Sequence, residues 1–257
     1  MNLRTPTFPT RTTWSFSTST GWNQATGNPV FRAPTVGGEW RAAATGPRAL
    51  PQPAADYSGS ASRGAEVNQV VNAFRPAWRA QEGSGALPFS MGASVGGSSP
   101  FLGQTLGYLG SLTYSNGEEA RLDEARSRVG TGGAPIDAYE GSSGTRSVLW
   151  GGLVNVAALV GTHSQIQFNN TWNRSADNTA RREVGVDENT QATVQIDRLT
   201  YVERMVRAHQ LRGEHQLGPR HTFEWNASAS AVSRSEPDRS EFVTWLDPHV
   251  PIWFNDF

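Results

Sequence analysis

The strongest constraint on this chain is a two-residue rhythm of apolar and polar side chains. Between His163 and Arg174, Ser164, Ile166, Phe168, Asn170 and Trp172 share one parity; His163, Gln165, Gln167, Asn169, Thr171 and Asn173 share the other. Successive strand residues point to opposite faces, so this run is a strand between two different environments. From His221 to Arg234, Phe223, Trp225, Ala227, Ala229 and Ala231 alternate with Glu224, Asn226, Ser228 and Ser230 in the same way. Trp14, Phe16 and Trp22 stand against Ser15, Ser17 and Ser19. Leu87 to Val95, Leu106 to Tyr114 and Val148 to Val160 repeat the pattern, with Leu109 as an intrusion. Segment 199–217 is less regular and suggests a bulge, and 240–246 supplies a candidate eighth strand.

The spacing of these runs predicts an all-β, antiparallel, up-and-down sheet of about seven or eight long strands. Segments 97–103, 161–162 and 217–220 read as short connections, and 23–85, 116–144 and 176–198 as long loops. The strands come to about 11–16 residues, where a soluble strand averages ~5–6. Alternating short and long connections, and strands long enough to cross an apolar band of ~25 Å, are features of an outer-membrane β-barrel. One amphipathic helix is expected in the first long loop: Val67, Val70, Val71 and Phe74 share a helical face over 64–75, and Pro76 should end it.

Alternation does not itself say which face is wet. The polar parity is rich in Asn, Gln, Ser and Thr with few charges, which suits a hydrated lumen, and aromatics stand near several strand ends, as at a lipid interface. The expected orientation therefore puts Ile166, Phe168, Trp172, Phe223, Trp225, Val148, Trp150 and Val154 toward lipid. Gln165, Gln167, Asn169, Asn226 and Ser228 become the candidate lumen-facing, substrate-contacting residues.

Arg48-Ala-Leu-Pro51, the stretch Phe101 to Ser115, Asn173 to Asp177, Tyr201 to Arg204, Gln210 to His215 and Ser233 to Arg239 occur in an order that resembles the barrel of TonB-dependent outer-membrane receptors, the plug-and-barrel type. The resemblance runs across most of the chain, each piece being moderately specific. It implies a barrel of about 22 strands, closed by an N-terminal plug and driven by an inner-membrane energy-coupling protein. It further implies uptake of a nutrient such as a siderophore or oligosaccharide at the outer membrane of a Gram-negative bacterium. Neither plug nor coupling box is apparent in 1–257, so the resemblance covers a partial barrel, about its first third by strand number. The opening Met-Asn-Leu-Arg-Thr-Pro has no apolar core of a signal peptide, which suits an internal segment.

Other chemistry finds little footing. There is no cysteine, which excludes disulfides, thiolate ligands and a cysteine nucleophile. A net charge of −1 argues against a general nucleic-acid binder. The five histidines show no metal-binding spacing, although His209 and His215 share a strand face. Gly130 to Pro135 lacks the lysine and helix of a phosphate cradle. Glu118, Glu119, Asp123 and Glu124 with Arg121, Arg126 and Arg128 read as a solvated loop, with Glu124 and Arg128 paired on a short helix. No nucleophile motif is present, so no enzyme and no cofactor are expected. Two further readings stay open: a complete small outer-membrane barrel acting as pore or adhesin, and a soluble extracellular β-domain that binds carbohydrate.

Overall fold

The computed structural model describes residues 11–58, 64–101, 103–187, 191–246 and 253–254. The fold is all-β, 69% strand and 7% helix. Strands β1 (Thr13–Thr20), β2 (Pro29–Arg32), β3 (Gln81–Ser84), β4 (Phe89–Phe101), β5 (Gln104–Val129), β6 (Pro135–Val160), β7 (Ser164–Val186), β8 (Thr193–Gln216), β9 (Thr222–Leu246) and the two-residue β10 (Trp253–Phe254) appear in chain order. The main sheet runs β1-β4-β5-β6-β7-β8-β9-β10, each strand antiparallel to its neighbours, and β2 and β3 form a separate pair. The sheet is an up-and-down meander interrupted once, between β1 and β4. Among the described residues β1 pairs with no strand but β4, so the sheet is open and not a closed barrel.

The strands are longer than the alternation predicts, because two expected loops are strand. Segment 116–144 is mostly the continued β5–β6 hairpin, and 176–198 mostly the continued β7–β8 hairpin. These ladders are built from charged, glycine and serine residues, whose low hydropathy imitates a loop. The mixed charge run is therefore strand as well: Arg128 pairs with Asp137 directly across the ladder at 2.7 Å, with no short helix. At the opposite end the turns are tight, with Gly161 at φ 68° and Gly218 at φ 85°, values that glycine adopts without strain.

Two irregularities set which side chains share a face. In β5 the register shifts between Arg121 and Glu124, where Asp123 takes φ 54°. In β8–β9 it shifts between Tyr201 and Glu203, which face Asp238 and Ser235 respectively. The expected bulge in 199–217 is thus present, but the extra residue lies on β9, at Glu236-Pro237. Proline supplies no N–H to a ladder and suits a bulge.

The segment between β1 and β4, expected as a loop, is a folded excursion. It holds β2, β3, a 3-10 turn at Glu39–Arg41, α1 (Gln52–Ala55) and α2 (Gly64–Ala73), which is the helix predicted ahead of Pro76. It packs on one face of the strand extensions, and most of the buried apolar residues lie there: Ala42 and Ala44 against Val148, Ala176 and Tyr201, and Ala33 and Ala80 against Ala180 and Leu199. Alanine dominates because backbone lies close to backbone. β2 passes over β6 at Gly144, where a Cβ would stand 2.0 Å from the Phe31 carbonyl oxygen.

Candidate functional site

The registers divide the sheet between the tight turns and the excursion into two chemically distinct faces. Cross-strand partners share a face. One row runs Tyr108, Val156, Phe168, Leu211, Ala227; another runs Leu106, Ala158, Ile166, Gly213, Trp225. Trp14 faces Val95, and Phe16 faces Ala93 and through it Leu112, so the same face continues to the far edge. Ile166, Phe168, Trp172, Phe223, Trp225, Val148, Trp150 and Val154 all lie on this face. At Gly213 the Trp225 indole occupies the space a side chain would need, and its Nε1 donates to His215 Nε2 at 2.9 Å. Polar residues interrupt the face at Asn170, whose Nδ2 lies 2.5 Å from His209 Nδ1, and at Arg207, which pairs across the ladder with Trp172.

The reverse face carries Gln165, Gln167, Asn169, Asn226 and Ser228 in adjoining rows: Gln167 faces Arg212, which faces Asn226, and Asn169 faces Gln210, which faces Ser228. Gln167 Nε2 donates to Asn169 Oδ1, and Asn169 Nδ2 to Gln210 Oε1, each at 3.0 Å. Arg212 Nη2 reaches Glu224 at 3.1 Å. The five polar residues singled out in the sequence therefore belong to one amide-rich surface.

Both faces are open here. Phe168 is 39% exposed, and Trp14, Phe16, Leu112, Val154 and Phe223 more so. Val148 departs from the expectation that it faces lipid: at 4% exposure it packs under Ala42 and Ala44 of the excursion. Trp150 is half covered too, its ring 4.7 Å from that of Tyr114 and its Nε1 donating to the Trp40 carbonyl at 3.0 Å. These aromatics mark where the apolar rows end and the excursion begins.

Beyond that line the apolar face becomes a dense ionic junction, of which only Glu118 belongs to the charge run expected as a solvated loop. Glu203 accepts from the Ala44 N–H at 2.5 Å, from Tyr201 Oη at 3.1 Å and from Arg174 Nη2 at 3.0 Å. Arg48 donates to Glu39, to Asp238 and to the Pro34 carbonyl, and its guanidinium lies 4.5 Å over the Tyr201 ring. Glu118 takes both forks of Arg32 at 2.6 Å and the Ala86 N–H at 2.8 Å. Burial alone would raise the Glu118 and Glu203 carboxyls. For Glu118 the hydrogen bonds and the charges of Arg32 and Arg146 outweigh it; for Glu203 the hydrogen bonds from Thr45, Ala44, Arg174 and Tyr201 do, so both carboxyls sit below the ordinary glutamate range. Tyr201 moves the other way, because burial and then the Glu203 carboxylate disfavour its phenolate.

The reverse face of the extensions holds a second ionic cluster, in which buried Glu183 receives Arg126 at 3.1 Å, Arg181 at 2.9 Å and Arg198 at 2.6 Å. The signal missed in the sequence is parity: acids and arginines two apart, such as Arg181 and Glu183 or Glu124 and Arg126, continue the strand rhythm in charged letters. No cluster of side chains able to hold a metal ion occurs among the described residues, and no described helix is long and apolar enough to cross a membrane. No family model, no curated protein and no solved structure matches this chain.

Proposed function

We propose that this chain is part of an outer-membrane β-barrel of the TonB-dependent receptor type, with the Phe168 face against lipid and the Gln167 face toward a water-filled lumen. The observation that carries the reading is the uncovered apolar face. Soluble monomers rarely expose contiguous apolar patches beyond a few hundred Å², yet aromatic and aliphatic side chains face outward from β1 through β9 with no layer packed on them. Counted from the tight turns, the apolar rows extend for about ten residues, the length that spans a ~25 Å hydrocarbon band at ~45° tilt. The extensions and the excursion would then stand outside the membrane. By the resemblance, nutrient uptake would need a plug and the inner-membrane coupling protein that acts through it, so the segment serves as the wall of a transport path.

The test is a matched pair of substitutions in full-length protein refolded into bilayers. Phe168→Arg should destabilise by about 2–4 kcal/mol near the midplane, while Gln167→Arg on the adjacent residue should be tolerated. Equal tolerance of both changes would overturn the assignment of faces.

A further inference from the structure

The outward apolar face carries a single permanent charge. Among the even residues from Ser164 to Trp172 and their described partners across the sheet, Arg207 is the only arginine, and there is no acid. Arg207 is exposed, and its guanidinium makes no hydrogen bond or ion pair among the described residues. Its ladder partners, Trp172 and Ala231, carry no counter-charge. The acids of the adjoining junction are already taken, Glu203 by Arg174 and Glu39 by Arg48. Arg207 stands in the last row before the excursion. At ~3.3 Å per residue and ~45° tilt it lies about 19 Å beyond the row of Ser164, near the far boundary of a ~25 Å apolar band. Its apolar stem can carry the guanidinium the rest of the way. Tryptophans mark the same boundary, as amphipathic rings do at a membrane interface. Trp172 faces Arg207 directly, and in the next row Trp150 meets Trp40 edge-on, with ring centroids 6.3 Å apart. Trp40 is 55% exposed, and Arg41, a second cation with no acidic partner among the described residues, lies 5.4 Å over its ring.

We propose that this rim binds an anionic lipid, its negatively charged headgroup oxygens on Arg207 and its chains laid over Leu211 and Phe168 toward the tight turns. The inference rests on the lipid-facing reading of the Phe168 face. A guanidinium takes phosphate and carboxylate alike, so Arg207 does not distinguish between those headgroups. What its surroundings select is an anion that carries hydrocarbon: Phe168, Leu211 and Val154 lie exposed on the turn side of the same face. A soluble anion gains nothing from those side chains.

The absence of cysteine allows a single fluorophore to be placed at Ala231→Cys, the exposed ladder partner of Arg207. Full-length protein is reconstituted in phosphatidylcholine bilayers that hold equal amounts, in separate samples, of phosphatidylglycerol or phosphatidylcholine bearing a nitroxide on the acyl chain. Phosphatidylglycerol should quench as though enriched about fivefold at this position, the worth of one cation beside an anionic headgroup. The preference should weaken as salt is added. Arg207→Gln should abolish it and leave quenching by phosphatidylcholine unchanged. Arg204→Gln, which removes the same charge from the reverse face, should keep it. Inorganic phosphate at constant ionic strength should not compete. Equal quenching by the two lipids, a preference that survives Arg207→Gln, one lost equally in Arg204→Gln, or one removed by inorganic phosphate would overturn the proposal and leave the Phe168 assignment standing. No quenching by either lipid would overturn both readings.

Discussion

Arg48 and Asp238, 190 residues apart in the chain, meet at 2.5 Å between Nη1 and Oδ2 and fasten the excursion to β9. The contact exists because of the bulge at Glu236-Pro237. Below it, β9 residues of odd number share the face of Phe223; above it, Asp238, Ser240 and Phe242 share the face of Tyr201, Leu199 and Asp197. One extra residue thus turns Asp238 from the reverse face to the excursion. Arg75 Nη2 joins the same carboxylate at 2.6 Å.

Removing this carboxylate should loosen the excursion without melting the sheet. In Asp238→Asn, Arg48 keeps Glu39 and the Pro34 carbonyl, while Arg75 loses its only ion pair among the described residues. The expected loss is about 1–3 kcal/mol, the range for a charge-assisted bond with a partly buried partner. Limited proteolysis should show faster cleavage within 42–58, while cleavage in the β7–β8 hairpin stays unchanged. Glu224→Gln, which breaks an exposed pair with Arg212, should cost no more than ~1 kcal/mol.

Deleting Pro237 tests the bulge itself. One-to-one pairing would resume, with Ser235 on Glu203, Glu236 on Val202 and Asp238 still on Tyr201, so Asp238, Ser240 and Phe242 keep the excursion face. The Arg48 and Arg75 pairs, and the Arg79 guanidinium over Phe242 at 5.3 Å, should therefore survive. The deletion should raise amide exchange across 29–84 less than Asp238→Asn does. Exchange raised as far as in Asp238→Asn would mean that the bulge does more than choose which residue faces the excursion.

Acid should undo the junction before the sheet. Glu118 and Glu203 both titrate below the ordinary glutamate value, the hydrogen bonds and cations around them outweighing burial. A carboxyl depressed in the folded state contributes stability that is fully present above its unfolded value and is lost as pH falls through its lower folded value. The excursion should stay docked at neutral pH and detach below about pH 4, within the carboxylate range, with strand content retained by circular dichroism. Glu203→Gln should flatten the part of this dependence that belongs to the 42–45 turn. Unchanged dependence in that variant would remove Glu203 from the account.

How far the sequence revealed these relationships depends on which letters carried the rhythm. Where Ile166, Phe168 and Trp172 alternate with Gln165, Gln167 and Asn169, hydropathy and strand period coincide, and the faces were legible. From Glu118 to Arg128 and from Arg181 to Arg198 the period persists in charges, glycine and serine, which local composition assigns to loops. Those strands are held by partners far away in sequence: Glu183 is buried by Arg126 and Arg198 from two other strands. Val148 illustrates the complementary error, since its parity was read correctly and only the excursion that covers it was missed.

Glycine at the crossing of β2 and β6 gives a sharp steric prediction. A Cβ on Gly144 would meet the Phe31 carbonyl oxygen at 2.0 Å, a backbone atom that cannot swing aside. Gly144→Ala should cost about 1–3 kcal/mol, typical of overpacking, and displace the β2–β3 pair. Gly117→Ala, on a neighbouring strand with nothing within 4 Å of its added carbon, should be neutral or stabilising by roughly 0.5–1 kcal/mol. Thermal melts of the two variants check the contrast.

The absence of cysteine makes the orientation of the sheet measurable residue by residue. Single cysteines placed successively from 164 to 186 and spin-labelled would report collision with oxygen, which partitions into hydrocarbon, and with a water-soluble nickel chelate. From Ser164 to Trp172 the two accessibilities should oscillate out of phase with a period of two, oxygen highest at 166 and 168 and nickel highest at 165, 167 and 169. The pattern should then change where the chemistry does. At 176 and 180 the excursion covers the even positions, since Ala176 and Ala180 are buried, so both collision rates should fall there. Asp177, Thr179 and Arg181 carry charge or hydroxyl, are half-buried and lie beyond the apolar rows, so nickel access should persist there, and it should drop at the buried Glu183. Oxygen contrast that continues unchanged past 176 would place hydrocarbon against a face that Arg48 and Glu203 have already closed, and the lipid assignment would not survive it.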